Sequence, residues 1–437
     1  MKANRPRIRE AGALSPHAPK ARIRKPRRST ALLGIAALGL TAPTTATATA
    51  TLGTAGPSAT SAAQPDAPCT PGPVKGVQMS EGVPTPPGHS PTTGALRALN
   101  LMIDFPDAPG EGAARDRYAE FFPKTSDWYA TSSYGALDYR AQAPVDEWLR
   151  MPRPFSAYGV DRGVSYEPGY RQLVQDIADA ADDRVDFSAY DLINVLVTPN
   201  AGPSALDTVL SVTFAGIRDA PAADGAPLSH MSFVYSHQDD GSATAGENAY
   251  RVLPHENAHA LGLPDLYTAK GGGKAGHWDI MSEDWGANND FLGWHKRKLG
   301  WLDAGRFACA DGSGGSEHTI SPLARPEGIK LVYVPVSDRA GYAVEVRTQE
   351  GNDAAVCRPG VLVYWVDAGI NSGDGPVEIK DSKPHSGGCA QRPNVNAELT
   401  DAAFAPGERL ADNGTGVTVE VTGKDASDNY RVKITRP

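Results

Sequence analysis

The stretch His255-Glu256-Asn257-Ala258-His259-Ala260-Leu261-Gly262-Leu263-Pro264-Asp265 sets two imidazoles four residues apart, with an acid beside the first and a glycine and second acid following. On a helix, positions i and i+4 share a face, so His255 and His259 are expected to present their ring nitrogens to one ion. Glu256, one residue further round, can then reach water at that ion without becoming a ligand. Gly262 is expected to end the helix, because glycine alone enters the left-handed region without a steric penalty. The chain can then double back, stiffened by Pro264, and offer Asp265 as a third donor. Three protein ligands with a fourth position left to water describe a catalytic zinc site rather than a structural one, and the chemistry expected is hydrolysis with Glu256 as the general base. Glu283, in Met281-Ser282-Glu283-Asp284, is the alternative third ligand.

The helix start is ambiguous. Thr244 and Glu247 have the spacing of a capping box, yet Pro254 would break a helix running through from there. The reading adopted is that the ligand helix begins anew, with Pro254 in its first turn.

Outside this stretch the chain divides by texture. Residues 2–28 are basic, 31–40 form a short apolar run and 41–50 are small and Thr/Ala-rich, which together read as an export signal. The apolar run is too short to span a bilayer. Removing residues 1–50 takes away ten Lys/Arg and one Glu, moving the formal charge from −9 to −18. Such an acidic chain with no basic stripe argues against a nucleic-acid partner. Residues 51–94, dense in Pro, Gly, Ser, Thr and Ala, read as a linker or pro-segment, with order expected from about Ala95. Residues 95–305 carry the mixed helical and strand patterns of the catalytic domain. Strands are expected near residues 97–105, 192–197, 209–217 and 231–235, and helices near 118–130, 170–181 and 290–299. After residue 305, short β-branched runs separated by turn residues predict an all-β, sandwich-like region to the C-terminus.

Four cysteines allow three pairings. Cys357–Cys389 with Cys69–Cys309 is favoured, as suits an exported chain. Calcium would suit an acidic exported protein, although no EF-hand-like loop is present. No transmembrane pattern occurs, and a monomer without a stable membrane anchor is expected.

Further motifs join the first. Gly276-His277-Trp278-Asp279-Ile280-Met281-Ser282 follows the histidine stretch, and Leu101-Met102-Ile103-Asp104-Phe105-Pro106-Asp107 precedes it. Phe121-Phe122, Ser132-Ser133-Tyr134-Gly135-Ala136-Leu137-Asp138, Tyr190-Asp191 and Leu299-Gly300-Trp301 complete the set. The combination resembles the metzincin zinc peptidases, and among them the secreted bacterial immune inhibitor A-like metallopeptidases, over residues 97–367. The resemblance implies an α+β metzincin-like domain and metal ligation by His255, His259 and Asp265. It further implies catalysis by Glu256, a floor at Met281, and protein or peptide substrates outside the cell. It also implies that the strand before the ligand helix, Met231-Ser232-Phe233-Val234-Tyr235, is an edge on which substrate pairs. The chain departs from the pattern in being shorter than large members. It also carries Glu283 where some metzincins have a tyrosine two residues after the methionine. The rival reading is a non-catalytic secreted binding or adhesion protein on the same scaffold. Such a protein would be expected to have lost Glu256 or a histidine, and all three are present.

Overall fold

The computed structural model describes residues 67–161, 164–201, 211–237, 248–268, 273–283, 290–389 and 396–437. The export signal, the first part of the 51–94 segment and the Thr244/Glu247 pair lie outside the described residues. The architecture is mixed α/β, with several sheets and few helices. Among the described residues, no helix is long and apolar enough to cross a membrane.

Leu192–Val197 is buried at all six positions, because the sheet it centres is covered on both faces. To one side of it lie Gly94–Asp104 and then Leu137–Gln142, both parallel to their neighbours, with Leu149–Arg150 also on Gly94–Asp104. To the other side lies His230–Val234, again parallel, and then Ser211–Ala215, which runs antiparallel and forms the edge. This corrects the expectation for residues 231–235. That strand is interior, and the edge belongs to the strand before it in sequence. The period of two in these strands separates two cores. Leu99, Leu101 and Ile103 face the helix Arg171–Ala181, meeting Leu173, Val174 and Ile177. Leu96, Ala98 and Met102 face the opposite layer, which holds the helices Lys124–Ser132 and Val252–Ala260. The helical pattern expected over 118–130 resolves into two short helices, Ala114–Ala119 and Lys124–Ser132, separated by a turn that contains Pro123. The expected 290–299 helix is shorter, Gly293–Lys298.

The C-terminal part forms two sheets, Gly314–Ile320, Tyr430–Arg436, Val417–Lys424 and Arg409–Asp412 in one, and Val377–Ile379, Gly360–Asp367, Ala340–Arg347, Leu331–Pro335 and Phe307–Cys309 in the other. Val344, Val346, Val361 and Val363 share a core with Val419, Val421, Val432 and Ile434, so the two sheets pack face to face. The other face of the five-stranded sheet is equally apolar. Leu331, Tyr333, Leu362 and Tyr364 join the core that contains the Val252–Ala260 helix. All eight residues of Ala340–Arg347 are buried as a result.

Order begins earlier than Ala95. Cys69, Glu81 and Ser90 are buried, and Cys69 is bonded to Cys309 as expected, with Cys357 bonded to Cys389. Proline and glycine density had suggested a loose linker. The segment is instead strapped along the molecule, with Ser80 donating to Ala368 O and Ser90 N–H to Ala260 O. The Cys69–Cys309 bond spans 240 residues of chain. In the chain-entropy model a loop of that size removes about 5 kcal/mol of unfolded-state freedom.

Candidate metal centre

The helix Val252–Ala260 starts where a 3₁₀ turn, Ala249–Arg251, ends. Pro254 therefore falls in the first turn, where a missing backbone N–H costs nothing. Its carbonyl accepts from the Tyr129 hydroxyl at 2.7 Å. All nine residues of the helix are buried, which explains why no amphipathic stripe marks it in the sequence.

His255 and His259 lie one above the other, with ring centroids 5.0 Å apart. Each ring is oriented by a backbone carbonyl, Ile280 O for His255 Nδ1 and Leu263 O for His259 Nδ1, both at 2.8 Å. A carbonyl only accepts, so the proton of each neutral ring sits on Nδ1 and the Nε2 lone pair is the one presented. The helix ends in a Schellman motif. Gly262 has φ +94°, its N–H donates to His259 O, and Leu263 N–H donates to Ala258 O. A Cβ at Gly262 would meet Thr85 Cγ2 at 2.7 Å, a second reason for glycine there.

Beyond that reversal Asp265 returns to the histidines. Its Oδ1 lies 3.4 Å from His255 Nε2 and 3.3 Å from His259 Nε2. A tetrahedral site with arms of about 2.1 Å has edges of roughly 3.4 Å. The three donor atoms all lie within 4.8 Å of one another and form a group that can hold a metal ion. Asp265 Oδ1 is buried with no hydrogen-bond donor among the described residues, as a ligand atom should be. Burial opposes charge on this carboxyl, yet His259 and His255 hold it well below the usual carboxylate range. In turn, burial disfavours charge on His259, but Asp265 outweighs this and raises its pKa.

The acid that follows His255 is also buried. Glu256 Oε2 accepts from Thr213 Oγ1 at 2.7 Å, and Thr213 stands on the edge strand Ser211–Ala215. Met281 is fully buried; its N–H donates to Asp279 Oδ1 and its carbonyl accepts from Leu266 N–H, next to Asp265 in the chain. Glu283, the alternative ligand, is engaged elsewhere, both carboxylate oxygens accepting from Asn396 N–H at 3.1 Å. The structure thus brings together His255, Glu256, His259, Asp265, Gly262 and Met281, and Asp265 takes the third place.

Several residues here have no counterpart in the sequence reading. Ser372, on the turn after Gly360–Asp367, clamps Asp265. Asp265 N–H donates to Ser372 Oγ at 2.9 Å, Ser372 Oγ donates to Asp265 Oδ2 at 3.4 Å, and Gly373 N–H donates to Asp265 O at 3.1 Å. Tyr267 stacks on His255 with centroids 6.5 Å apart. His295 is wholly buried between Asp279 Oδ2 at 2.7 Å and Glu81 Oε1 at 2.9 Å. Compared with known proteins, the chain matches no family model and no curated relative.

Proposed function

We propose that this chain is a secreted zinc endopeptidase of the immune inhibitor A-like, metzincin type, acting on protein or peptide substrates. The observation that carries this reading is the convergence of His255 Nε2, His259 Nε2 and Asp265 Oδ1 beside the Glu256 carboxylate. Two imidazoles and one carboxylate are a donor set that suits zinc and leaves one tetrahedral position to water or substrate. Zinc held there would polarise the scissile carbonyl and acidify water. Glu256 takes the proton of the attacking water and gives it to the departing amine, with the Thr213 contact fixing its carboxylate. Ile280 O and Leu263 O keep both rings in the ligating tautomer, and the Ser372 turn holds Asp265 in reach. The two disulfides suit an oxidising, extracellular setting.

The test is metal analysis of the purified secreted protein together with casein hydrolysis. One zinc per chain, activity lost to a chelator and restored by zinc is the expected result. Stoichiometric zinc without cleavage of casein or of a peptide library would favour the binding-protein reading instead.

A further inference from the structure

A row of polar side chains crosses the helix-facing side of the main sheet in register. Asn100 is the partner of Asn194, Asn194 of Ser232, and Ser232 of Thr213 on the edge strand. Each interrupts an apolar alternation: Leu99-Asn100-Leu101, Ile193-Asn194-Val195, Met231-Ser232-Phe233 and Val212-Thr213-Phe214. Asn100, Asn194 and Ser232 are fully buried, and so is Asn257, which the ligand helix lays over the row. Buried polar groups in an apolar layer are costly unless each is hydrogen-bonded, so the row's bonds can be traced donor by donor.

Asn257 Nδ2 donates to Asn194 Oδ1 at 2.7 Å and to Ser232 Oγ at 3.0 Å, which uses both its amide protons. Asn194 Nδ2 donates to Asn100 Oδ1 and to Tyr139 Oη, both at 2.9 Å. The Tyr139 hydroxyl closes the circuit by donating to Asn257 Oδ1 at 2.6 Å. Ser232 Oγ, which accepts from Asn257, lies 2.8 Å from Thr213 Oγ1, and with the single Thr213 proton given to Glu256 the Ser232 hydroxyl is the donor between them. Thr213 then has one proton to give and two acceptors on Glu256, the carbonyl at 2.9 Å and Oε2 at 2.7 Å. The carboxylate is the stronger acceptor. The relay therefore runs Asn257 to Ser232 to Thr213 and ends on the carboxylate of the residue next to Asn257 in the chain. Each bond polarises the next.

The geometry points to Thr213 as a positioning residue for Glu256. Its hydroxyl fixes the rotamer of the carboxylate, and the buried asparagine–serine row fixes the hydroxyl. This rests on the reading of Glu256 as the general base.

The experiment compares wild type with T213V, T213S and E256Q, all zinc-loaded. T213V keeps the β-branched shape and loses the hydroxyl. Its kcat should fall about 10- to 100-fold, with KM and zinc stoichiometry unchanged and a cooperative unfolding transition retained, and T213S should recover most of the loss. Metal-free crystal structures supply a readout independent of turnover, in which the Glu256 carboxylate of T213V leaves its wild-type rotamer. An unchanged kcat together with an unchanged rotamer overturns the proposal. So does a loss of kcat in T213V that T213S does not restore, or one that accompanies loss of zinc or of the cooperative fold, because Thr213 would then be a structural anchor. If wild type and E256Q are equally active, or neither cleaves, the general-base reading has failed. The rotamer comparison then still decides what Thr213 does to Glu256.

Discussion

Raising the pH from 6 to 10 perturbs one buried ion cluster, His295 with Asp279 and Glu81. His295 has no exposure, and burial alone would drive its charge out. Asp279 and Glu81 outweigh that and push its pKa up to about 10, against an ordinary 6.5. A folded-state pKa above the unfolded value means that the charged ring stabilises the fold fully below pH 6.5. That contribution is lost as the pH climbs to about 10. The difference corresponds to about 5 kcal/mol. Loss of the imidazolium charge would leave Asp279 and Glu81 buried against a neutral ring that can donate to only one of them. Asp279 also accepts Met281 N–H at 2.8 Å and Leu292 N–H at 2.6 Å, so the turn at Met281 should loosen together with the strap that carries Glu81. The assay is nitrogen-detected NMR of labelled histidine, combined with denaturant unfolding across the pH range. Tyrosines and lysines also titrate near pH 10, so the ring nitrogens of His295 decide the assignment. They should remain doubly protonated through pH 8. Titration of His295 near 6.5, or a stability that does not decline above neutrality, would refute the reasoning.

The other predictions are shorter. Glu256→Ala should retain stoichiometric zinc and lose about 10²- to 10⁴-fold in kcat; casein hydrolysis at the wild-type rate would remove Glu256 from the chemistry. Ser372→Ala should weaken zinc binding by about 10-fold, read by competition with a chromophoric chelator, and equal affinity would show that the turn does not clamp Asp265. Gly262→Ala forces a side chain into φ +94° and against Thr85. It should cost roughly 1–3 kcal/mol, and an unchanged denaturation midpoint would contradict the Schellman account.

The histidine pair and the helix-ending glycine were legible because they are local, whereas the choice of Asp265 over Glu283 needed the fold. The 3.6 periodicity, the conformational demand of Gly262 and the reach of an eleven-residue stretch decide them with little help from the rest of the chain. The near-continuous apolar run of Leu192–Val197, broken by Asn194, similarly marked a strand. The edge was misplaced because alternation says which face a residue occupies and nothing about which strand is outermost. Ser211–Ala215 became the edge by crossing to the far side of His230–Val234. The 67–93 strap was hidden by its composition, since its anchors are single residues such as Cys69, Ser80 and Glu81 whose partners lie more than 200 positions away. The polar row did leave a trace, a lone Asn, Ser or Thr at the centre of four apolar triplets. Its meaning depends on a register that sequence alone does not supply.

The Ser372 clamp carries a consequence for timing. Asp265 is held by a turn 107 residues further along the chain, and that turn hangs from a sheet whose first strand is tied back to Cys69. A ribosome or export channel releases residues in order. The two histidines therefore emerge well before the segment that secures their third companion. Completion of the three-donor group is deferred until most of the polypeptide has passed through, so a half-delivered chain carries the histidine pair without its carboxylate held in place.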